Sequence, residues 1–247
     1  MRFFVLAALA VGSAIPASAG SILCPSCIPT LDVYVGGSYL ATVAGLTNNA
    51  GNTFSINAIL GNPGQFLITV TATTDPDPII EYDVSVSNFG SEAQSFSLSF
   101  FSQTVGGPFS NTTTQITTSV TDLGTDGSSV VPTAAGLPGQ AFDPPGLITT
   151  FLGGNQTGTT GGTCTGLAGV TQNCPTEIVN TSHTLLNGQL ISQLNFTLGA
   201  TDNVNITAES GVSPVPEPAM AWTICAGLLV FGLRARLHGS KKDLSAR

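Results

Sequence analysis

The stretch IEYDVSV, residues 80–86, and the stretch SFSLSFFS, residues 95–102, together decide the fold of this chain. In the first stretch, apolar side chains alternate with Glu81, Asp83 and Ser85, and in the second, phenylalanine and leucine alternate with serine. A period of two places one set of side chains on a buried face and the other set in water. We therefore predict a pair of strands joined through residues 88–91, and we expect this pair to be the centre of the core.

The same alternation continues on both sides of this centre. Further strands, bounded by glycine, proline or asparagine, are predicted at residues 31–35, 38–43, 53–60, 65–73, 190–198 and 204–206. Many short strands spaced by about ten residues are typical of an all-β protein. The predicted fold is an antiparallel β-sandwich of immunoglobulin-like or jelly-roll-like kind, with long Gly/Thr-rich loops.

Residues 105–175 show a weaker pattern, rich in glycine, threonine, serine, asparagine and proline. Short strands are predicted at residues 116–120 and 147–152. Residues 152–169 are close to low complexity, and we predict a long loop here, tied by Cys164 and Cys174.

The charges of the chain are unevenly distributed. Residues 20–213 contain twelve acidic residues and neither lysine nor arginine, so all six basic residues lie in the terminal segments. Binding to a phosphate backbone needs many cationic contacts, which excludes nucleic acid as a partner of this region. An acidic, hydroxyl-rich surface keeps a protein soluble, and it also leaves cations or neutral glycans as ligands.

Four cysteines, Cys24, Cys27, Cys164 and Cys174, lie in the same region. In an exported protein they are expected to form disulfides, and proximity favours Cys24 with Cys27 and Cys164 with Cys174 among three connectivities. The Cys-Pro-Ser-Cys pair lacks the following helix that redox chemistry of the thioredoxin type needs. A zinc site of four cysteines is disfavoured because nine residues separate Cys164 from Cys174, not the two to four that are usual.

Catalytic groups are few. His183 is the only histidine of residues 20–213, and no serine lies in a G-x-S-x-G motif, so we assign no catalytic residue and no cofactor, and we predict that the protein is not an enzyme. Asp122, Asp126 and Gly127 resemble part of a calcium loop that lacks its other ligands.

A group of carboxylates follows an Asp-Pro-Asp-Pro turn. In a strand, alternate members share one face and could bind Ca²⁺ or act as a glycosidase pair; a solvated strand face is the simpler interpretation. The candidate calcium ligands are Asp75, Asp77, Glu81 and Asp83.

Both ends of the chain carry targeting signals. Residues 1–19 combine a basic start, an apolar run and Ala17-Ser18-Ala19, which predicts a signal peptide that signal peptidase cleaves between Ala19 and Gly20. Near the other end, Pro216, Glu217 and Pro218 precede the apolar residues 219–233. Arg234 and Arg236 follow that run, and a basic flank of this kind stays in the cytoplasm. A helix of fifteen residues spans about 22 Å, which is short for a permanent membrane anchor.

The order of this motif, apolar run and basic flank resembles the PEP-CTERM sorting signal of exported bacterial proteins. The resemblance covers the last thirty or so residues and implies recognition at Pro216, Glu217 and Pro218 by exosortase, a membrane peptidase. It divides the chain into a signal peptide (1–19), an extracytoplasmic domain (20–213), a sorting and membrane segment (214–236) and a basic cytoplasmic tail (237–247). The expected location is the cell surface or extracellular matrix, after transient anchoring in the membrane.

Three functions remain open at this level. The first is a non-enzymatic surface or matrix protein. The second is a lectin-like or calcium-dependent module that binds extracellular polysaccharide, and the third is a secreted hydrolase that uses His183 or Glu81.

Overall fold

The alternating stretches of the sequence form sixteen strands in the part of the chain that the structure describes. A computed structural model describes residues 27–47, 53–75, 79–104, 108–133, 146–186 and 188–214. The strands pair antiparallel in two eight-stranded sheets, so the predicted all-β sandwich is confirmed. Within these residues no helix is long and apolar enough to cross a membrane. The predicted signal peptide, sorting motif and apolar segment lie outside the described residues.

Sheet A runs in the order β11-β10-β15-β7-β1-β2, with β9 pairing both β15 and β12. Its strands are β1 (Thr30–Val35), β2 (Ser38–Ala44), β7 (Gln94–Gln103), β9 (Ser128–Pro132), β10 (Ile148–Leu152), β11 (Asn155–Thr160), β12 (Cys164–Gly166) and β15 (Gln189–Leu198).

Sheet B runs in the order β13-β8-β16-β6-β5-β4-β3, with β14 pairing β8. Its strands are β3 (Leu46–Thr47), β4 (Phe54–Asn62), β5 (Phe66–Asp75), β6 (Ile79–Asn88), β8 (Phe109–Asp122), β13 (Thr171–Asn173), β14 (Glu177–Leu186) and β16 (Asp202–Pro214).

The predicted first hairpin is confirmed. Strands β1 and β2 pair directly, and the turn between them places Gly36 and Gly37 at φ of 59° and 76°. Side chains rarely adopt this left-handed conformation, which explains two consecutive glycines at this turn.

Strands β6 and β7 form the centre of the core, as predicted, but they are not a hydrogen-bonded pair. β6 lies in sheet B and β7 in sheet A, so the link between them crosses from one sheet to the other. The rings of Tyr82 and Phe100 stack across the interface, with centroids 4.2 Å apart. Alternation identifies the buried face of a strand but not its partner, and the prediction of a paired hairpin was therefore wrong.

The prediction of a long loop at residues 152–169 was also wrong. This segment contains β11 and β12, which pair with β10 and β9. The strand predicted at residues 116–120 exists, but it was predicted too short, because it is part of the fourteen-residue strand β8.

A chain of buried hydroxyl groups crosses between the two sheets. Each hydroxyl both donates and accepts, so a continuous chain leaves its members satisfied. The oxygen–oxygen distances are 2.9 Å for Tyr82–Ser192, 2.8 Å for Ser192–Ser210, 3.1 Å for Ser210–Thr150 and 2.7 Å for Thr150–Thr114. Burial raises the pKa of the Tyr82 hydroxyl, although its bond to Ser192 opposes that shift. These contacts fix how the sheets face each other.

The predicted disulfide between Cys164 and Cys174 is present, with the two Cα atoms 5.9 Å apart. Cys164 belongs to β12 of sheet A, and the backbone N–H of Cys174 donates to the carbonyl of Thr118 in β8 of sheet B. The bridge therefore joins the edges of both sheets. Cys27 is disulfide-bonded as well, and its predicted partner, Cys24, lies outside the described residues.

Candidate functional site

A polar groove of about 310 Å³ lies on the outer face of sheet B. It forms because the strands β5, β6, β16 and β8 bury alternate side chains and turn the others outward. The outward side chains in the groove are Thr71, Thr73, Glu81, Asp83, Gln115, Thr117, Thr207 and Glu209.

The strand register arranges these eight side chains in two parallel rows. The first row runs Thr73, Glu81, Glu209 and Gln115 across the four strands, and the second runs Thr71, Asp83, Thr207 and Thr117. Neighbouring strands lie about 4.8 Å apart, and the rows are separated by two residues, or about 7 Å. The groove is thus a regular array of hydrogen-bonding groups.

Internal contacts leave much of this hydrogen-bonding capacity free. Thr207 Oγ1 donates to Asp83 Oδ1 over 2.6 Å, and Thr73 Oγ1 donates to Glu81 Oε2 over 3.5 Å. A carboxylate can accept about four hydrogen bonds. Glu81 and Glu209 lie directly opposite each other, and the domain has no cationic side chain to pair with them. The groove can therefore accept many hydrogen bonds from a ligand and repels anions.

Three of the four predicted calcium ligands are described, and they lie on this face. Glu81 and Asp83 are in the groove, while Asp75 ends β5; Asp77 lies outside the described residues. Among the described residues no group of three or more His, Cys, Asp or Glu side chains is close enough to hold a metal ion. The shared face follows from the period of two, and calcium binding by this set stays a prediction.

His183 lies on β14, away from the groove. Its Nε2 atom is 2.8 Å from Thr112 Oγ1, and its Nδ1 atom is 3.0 Å from the carbonyl oxygen of Thr184. These contacts bring neither a nucleophilic serine nor a carboxylate to the imidazole. Glu81, the other residue named for a hydrolase, lies on β6, and strands β8 and β16 separate β6 from β14 in the sheet.

The outer face of sheet A differs from that of sheet B because its central polar side chains are buried. Ser99, Thr149 and Gln193 lie side by side in the register and are at most 1% exposed. Ser97 Oγ donates to Asn195 Oδ1 over 2.7 Å in the next row. The sheet B groove is therefore the more open of the two faces.

Sequence reasoning found the groove only in part. Glu81 and Asp83 were singled out as carboxylates, whereas Gln115, Thr207 and Glu209 were missed. These three lie in strands whose partners are distant in the chain, so only the sheet register brings them beside β6.

Comparison with known proteins gives a weak result. No protein-family model and no curated protein matches this chain. One solved structure with some likeness is the carbohydrate-binding module TmCBM61, determined in complex with β-1,4-galactotriose. It shares 12% sequence identity, with 64% of this chain and 88% of that chain covered and a TM-score of 0.32. A likeness at this level carries no argument about the ligand of this protein.

Proposed function

We propose that this protein is an exported, non-catalytic surface or matrix protein whose sandwich domain binds a neutral polysaccharide along the sheet B groove. The observation that carries the proposal is the array of eight hydrogen-bonding side chains, in two rows across four strands. Sugar hydroxyls both donate and accept hydrogen bonds. Threonine hydroxyls, the Gln115 amide and three carboxylates complement them.

The charge of the groove favours a neutral polymer over an anionic one. Glu81, Asp83 and Glu209 supply negative charge, and residues 20–213 hold no lysine or arginine. Juxtaposed like charges cost several kcal/mol at an interface, so uronic, sulfated or phosphorylated polymers are disfavoured. Among the described residues that line the groove no aromatic side chain points outward, so the proposed binding rests on hydrogen bonds.

The test compares two matched double variants of the purified full chain. Asp83→Ala with Thr207→Val removes the hydrogen-bonded pair in the groove. Asp32→Ala with Thr42→Val removes a pair of the same residue types, 2.5 Å apart, on β1 and β2 of sheet A. The probes are β-1,4-glucan, β-1,4-galactan, mannan and dextran, measured by affinity electrophoresis. No retardation of the unmodified chain by any of the four glycans would contradict the proposal.

We expect the groove variant to bind at least about tenfold more weakly, because two lost hydrogen bonds correspond to about 1.4 kcal/mol or more. The sheet A variant should bind like the unmodified chain. Equal losses in the two variants would place the ligand elsewhere.

The sorting part of the proposal rests on the tail. β16 ends at Pro214, directly before the motif that contains Pro216, Glu217 and Pro218, so the folded domain passes straight into the predicted recognition site. Prolines keep such a segment extended and unable to pair as a strand, which suits engagement by a peptidase.

In a bacterial host with exosortase, Glu217→Ala should prevent processing, so that the mature protein retains the mass of its tail and stays with the membrane. Intact-mass measurement of the surface fraction checks this. Glu92→Ala, on an exposed loop, is the control and should be processed normally. Identical masses and locations for the Glu217 variant and the unmodified protein would refute the sorting proposal.

A further inference from the structure

Two aspartates face each other inside the protein at the end of the sandwich remote from the tail. Asp122 is the last residue of β8 and Asp202 is the first residue of β16, and the register pairs them directly. They are 4% and 0% exposed. Like charges directly opposite on neighbouring strands destabilise a sheet, and burial increases that cost.

No cationic side chain is available to offset these charges. Residues 20–213 contain neither lysine nor arginine, and His183 is bonded to Thr112, ten residues before Asp122 in β8. Something other than a side-chain ion pair must therefore compensate a buried pair of carboxylates here.

Backbone N–H groups satisfy Asp122 but not Asp202. Asp122 Oδ1 accepts from the N–H of Gly124 over 2.6 Å, and its Oδ2 accepts from Gly127 and Gly169 over 3.2 and 3.0 Å. Asp202 Oδ2 accepts from the N–H of Ser129 over 2.8 Å. Asp202 Oδ1 is buried and has no hydrogen-bond partner.

The pKa directions agree with this difference. Burial raises the pKa of Asp122, but the N–H groups of Gly169, Gly124 and Gly127 outweigh it and lower the pKa overall. Burial raises the pKa of Asp202, the Ser129 N–H opposes this, and the charges of Asp122 and Asp126 raise it further. The negative charges of Asp122 and Asp126 therefore both act on Asp202.

Two further oxygen atoms lie near Asp122. A methyl group added to Gly124 would lie 3.2 Å from both Asp122 Oδ1 and Asp126 Oδ1, and closer still to Thr201 Oγ1. Thr201 has a φ of 50°, an uncommon conformation for a β-branched residue. The turn before β16 therefore holds a hydroxyl group beside the carboxylates.

We propose that Asp122 and the unpartnered oxygen of Asp202 are the two carboxylate ligands of a calcium site, with the Thr201 hydroxyl beside them. Calcium takes six to eight oxygen ligands in flexible geometry, so backbone carbonyls and water complete its shell. Magnesium requires near-ideal octahedral geometry and fits a site built from two separate chain segments less well. The site is separate from the groove, and its test is independent of glycan binding.

The experiment measures calcium bound to the purified full chain after treatment with EDTA. Equilibrium dialysis with ⁴⁵Ca²⁺ compares the unmodified chain, Asp202→Asn and the control Asp32→Asn, whose carboxylate lies on sheet A and accepts from Thr42. We expect one calcium per chain, lost in the Asp202 variant and retained in the Asp32 variant. At a calcium concentration of about 100 times Kd, the Tm should rise by about 5–10 °C.

Two results would overturn the inference. One is the absence of stoichiometric calcium in the unmodified chain, and the other is equal binding by the unmodified chain and Asp202→Asn. If the Asp202 variant fails to fold, the Tm of the unmodified chain provides the test. The proposal then requires that calcium raises this Tm more than the same concentration of magnesium does. Equal shifts with the two ions would reject the site.

Discussion

At the scale of single residues, Glu177 shows how a carboxylate organises a loop without any cationic partner. Its Oε2 accepts from Thr160 Oγ1 and from the N–H of Gly161, each over 2.9 Å, and its Oε1 accepts from the N–H of Gly162 over 3.2 Å. The Gly161 N–H lowers the pKa of Glu177 most; burial opposes this, and Gly162 and Thr160 lower it further. The carboxylate anchors the link between β11 and β12.

This anchor predicts a pH dependence of stability. Because the folded-state pKa of Glu177 lies below its ordinary value of 4.5, its contribution to stability is present above that value and is lost as the pH falls through the lowered folded-state pKa. Glu177 is exposed and water screens its charge, so Glu177→Gln should cost only about 0.5 kcal/mol at neutral pH. Once the pH is well below this lowered pKa, the variant and the unmodified chain should be equally stable.

Urea unfolding of the full chain at neutral pH and at about pH 3 checks this expectation. Glu92→Gln, on an exposed loop, is the matched control and should leave the pH dependence unchanged. A Glu177→Gln variant that keeps the same deficit at both pH values would show that the carboxylate charge does not provide the anchor.

At the residue scale, the sequence predicted those contacts and orientations that depend only on residues nearby in the chain. The Cys164–Cys174 bridge followed from proximity, and the shared face of Glu81 and Asp83 followed from the period of two. The opposition of Asp122 and Asp202 depends on the pairing of distant strands. No local pattern marks Asp202, and sequence reasoning therefore overlooked it.

At the scale of strands, the long β8 shows why hydrophobic patterning underestimates some elements. The core-facing positions of its first half include Thr112 and Thr114, which are buried hydroxyl residues. An apolar count does not recognise such positions as a buried face. They are tolerated because partners exist in the core, as Thr150 is for Thr114. Between residues 110 and 122 only Ile116 and Val120 are apolar, so the sequence predicted no more than a short strand here.

The disulfide gives a prediction at this scale. The bridge closes a short loop between β12 and the segment after β13, and chain entropy alone assigns such a loop about 3 kcal/mol. We expect the double variant Cys164→Ala, Cys174→Ala to lose about 2–3 kcal/mol in urea unfolding, because the bridge also joins the edges of the two sheets.

Chemical reduction is not an adequate substitute in that test, because Cys27 is disulfide-bonded too. The loss should appear as a lower midpoint of the urea transition, with a slope that does not decrease, because the unfolded chain without the bridge is less compact. A double variant as stable as the unmodified chain would show that β12 and β13 are held by their strand pairing alone.

At the scale of the whole molecule, three regions have distinct positions. The tail leaves the domain at Pro214, and β16 runs from there back to Asp202, a distance of about 40 Å at the usual rise per residue. The Asp122–Asp202 cluster thus lies at the opposite end of β16 from Pro214, and the groove lies along the strands between these two ends.

The sequence predicted the all-β class and which side chains of β5 and β6 face the core, because these depend on local alternation. It could not predict which strands share a sheet, since β6 and β7 have ideal patterns for a hairpin and nevertheless belong to opposite sheets. The groove depends on that choice. Its two rows exist only because β16 lies between β6 and β8.

Glycan binding by the outer face of sheet B is the central claim, and threonine methyl groups report on it directly. In a ¹H–¹³C spectrum of the full chain with labelled threonine methyls, we add soluble oligosaccharides of β-1,4-glucan, β-1,4-galactan, mannan and dextran in turn. The account predicts that at least one of them shifts the groove methyls of Thr71, Thr73, Thr117 and Thr207. The buried methyls of Thr114, Thr149 and Thr150 should stay in place. Unchanged groove signals with all four glycans, or shifts confined to residues outside the groove, would contradict it.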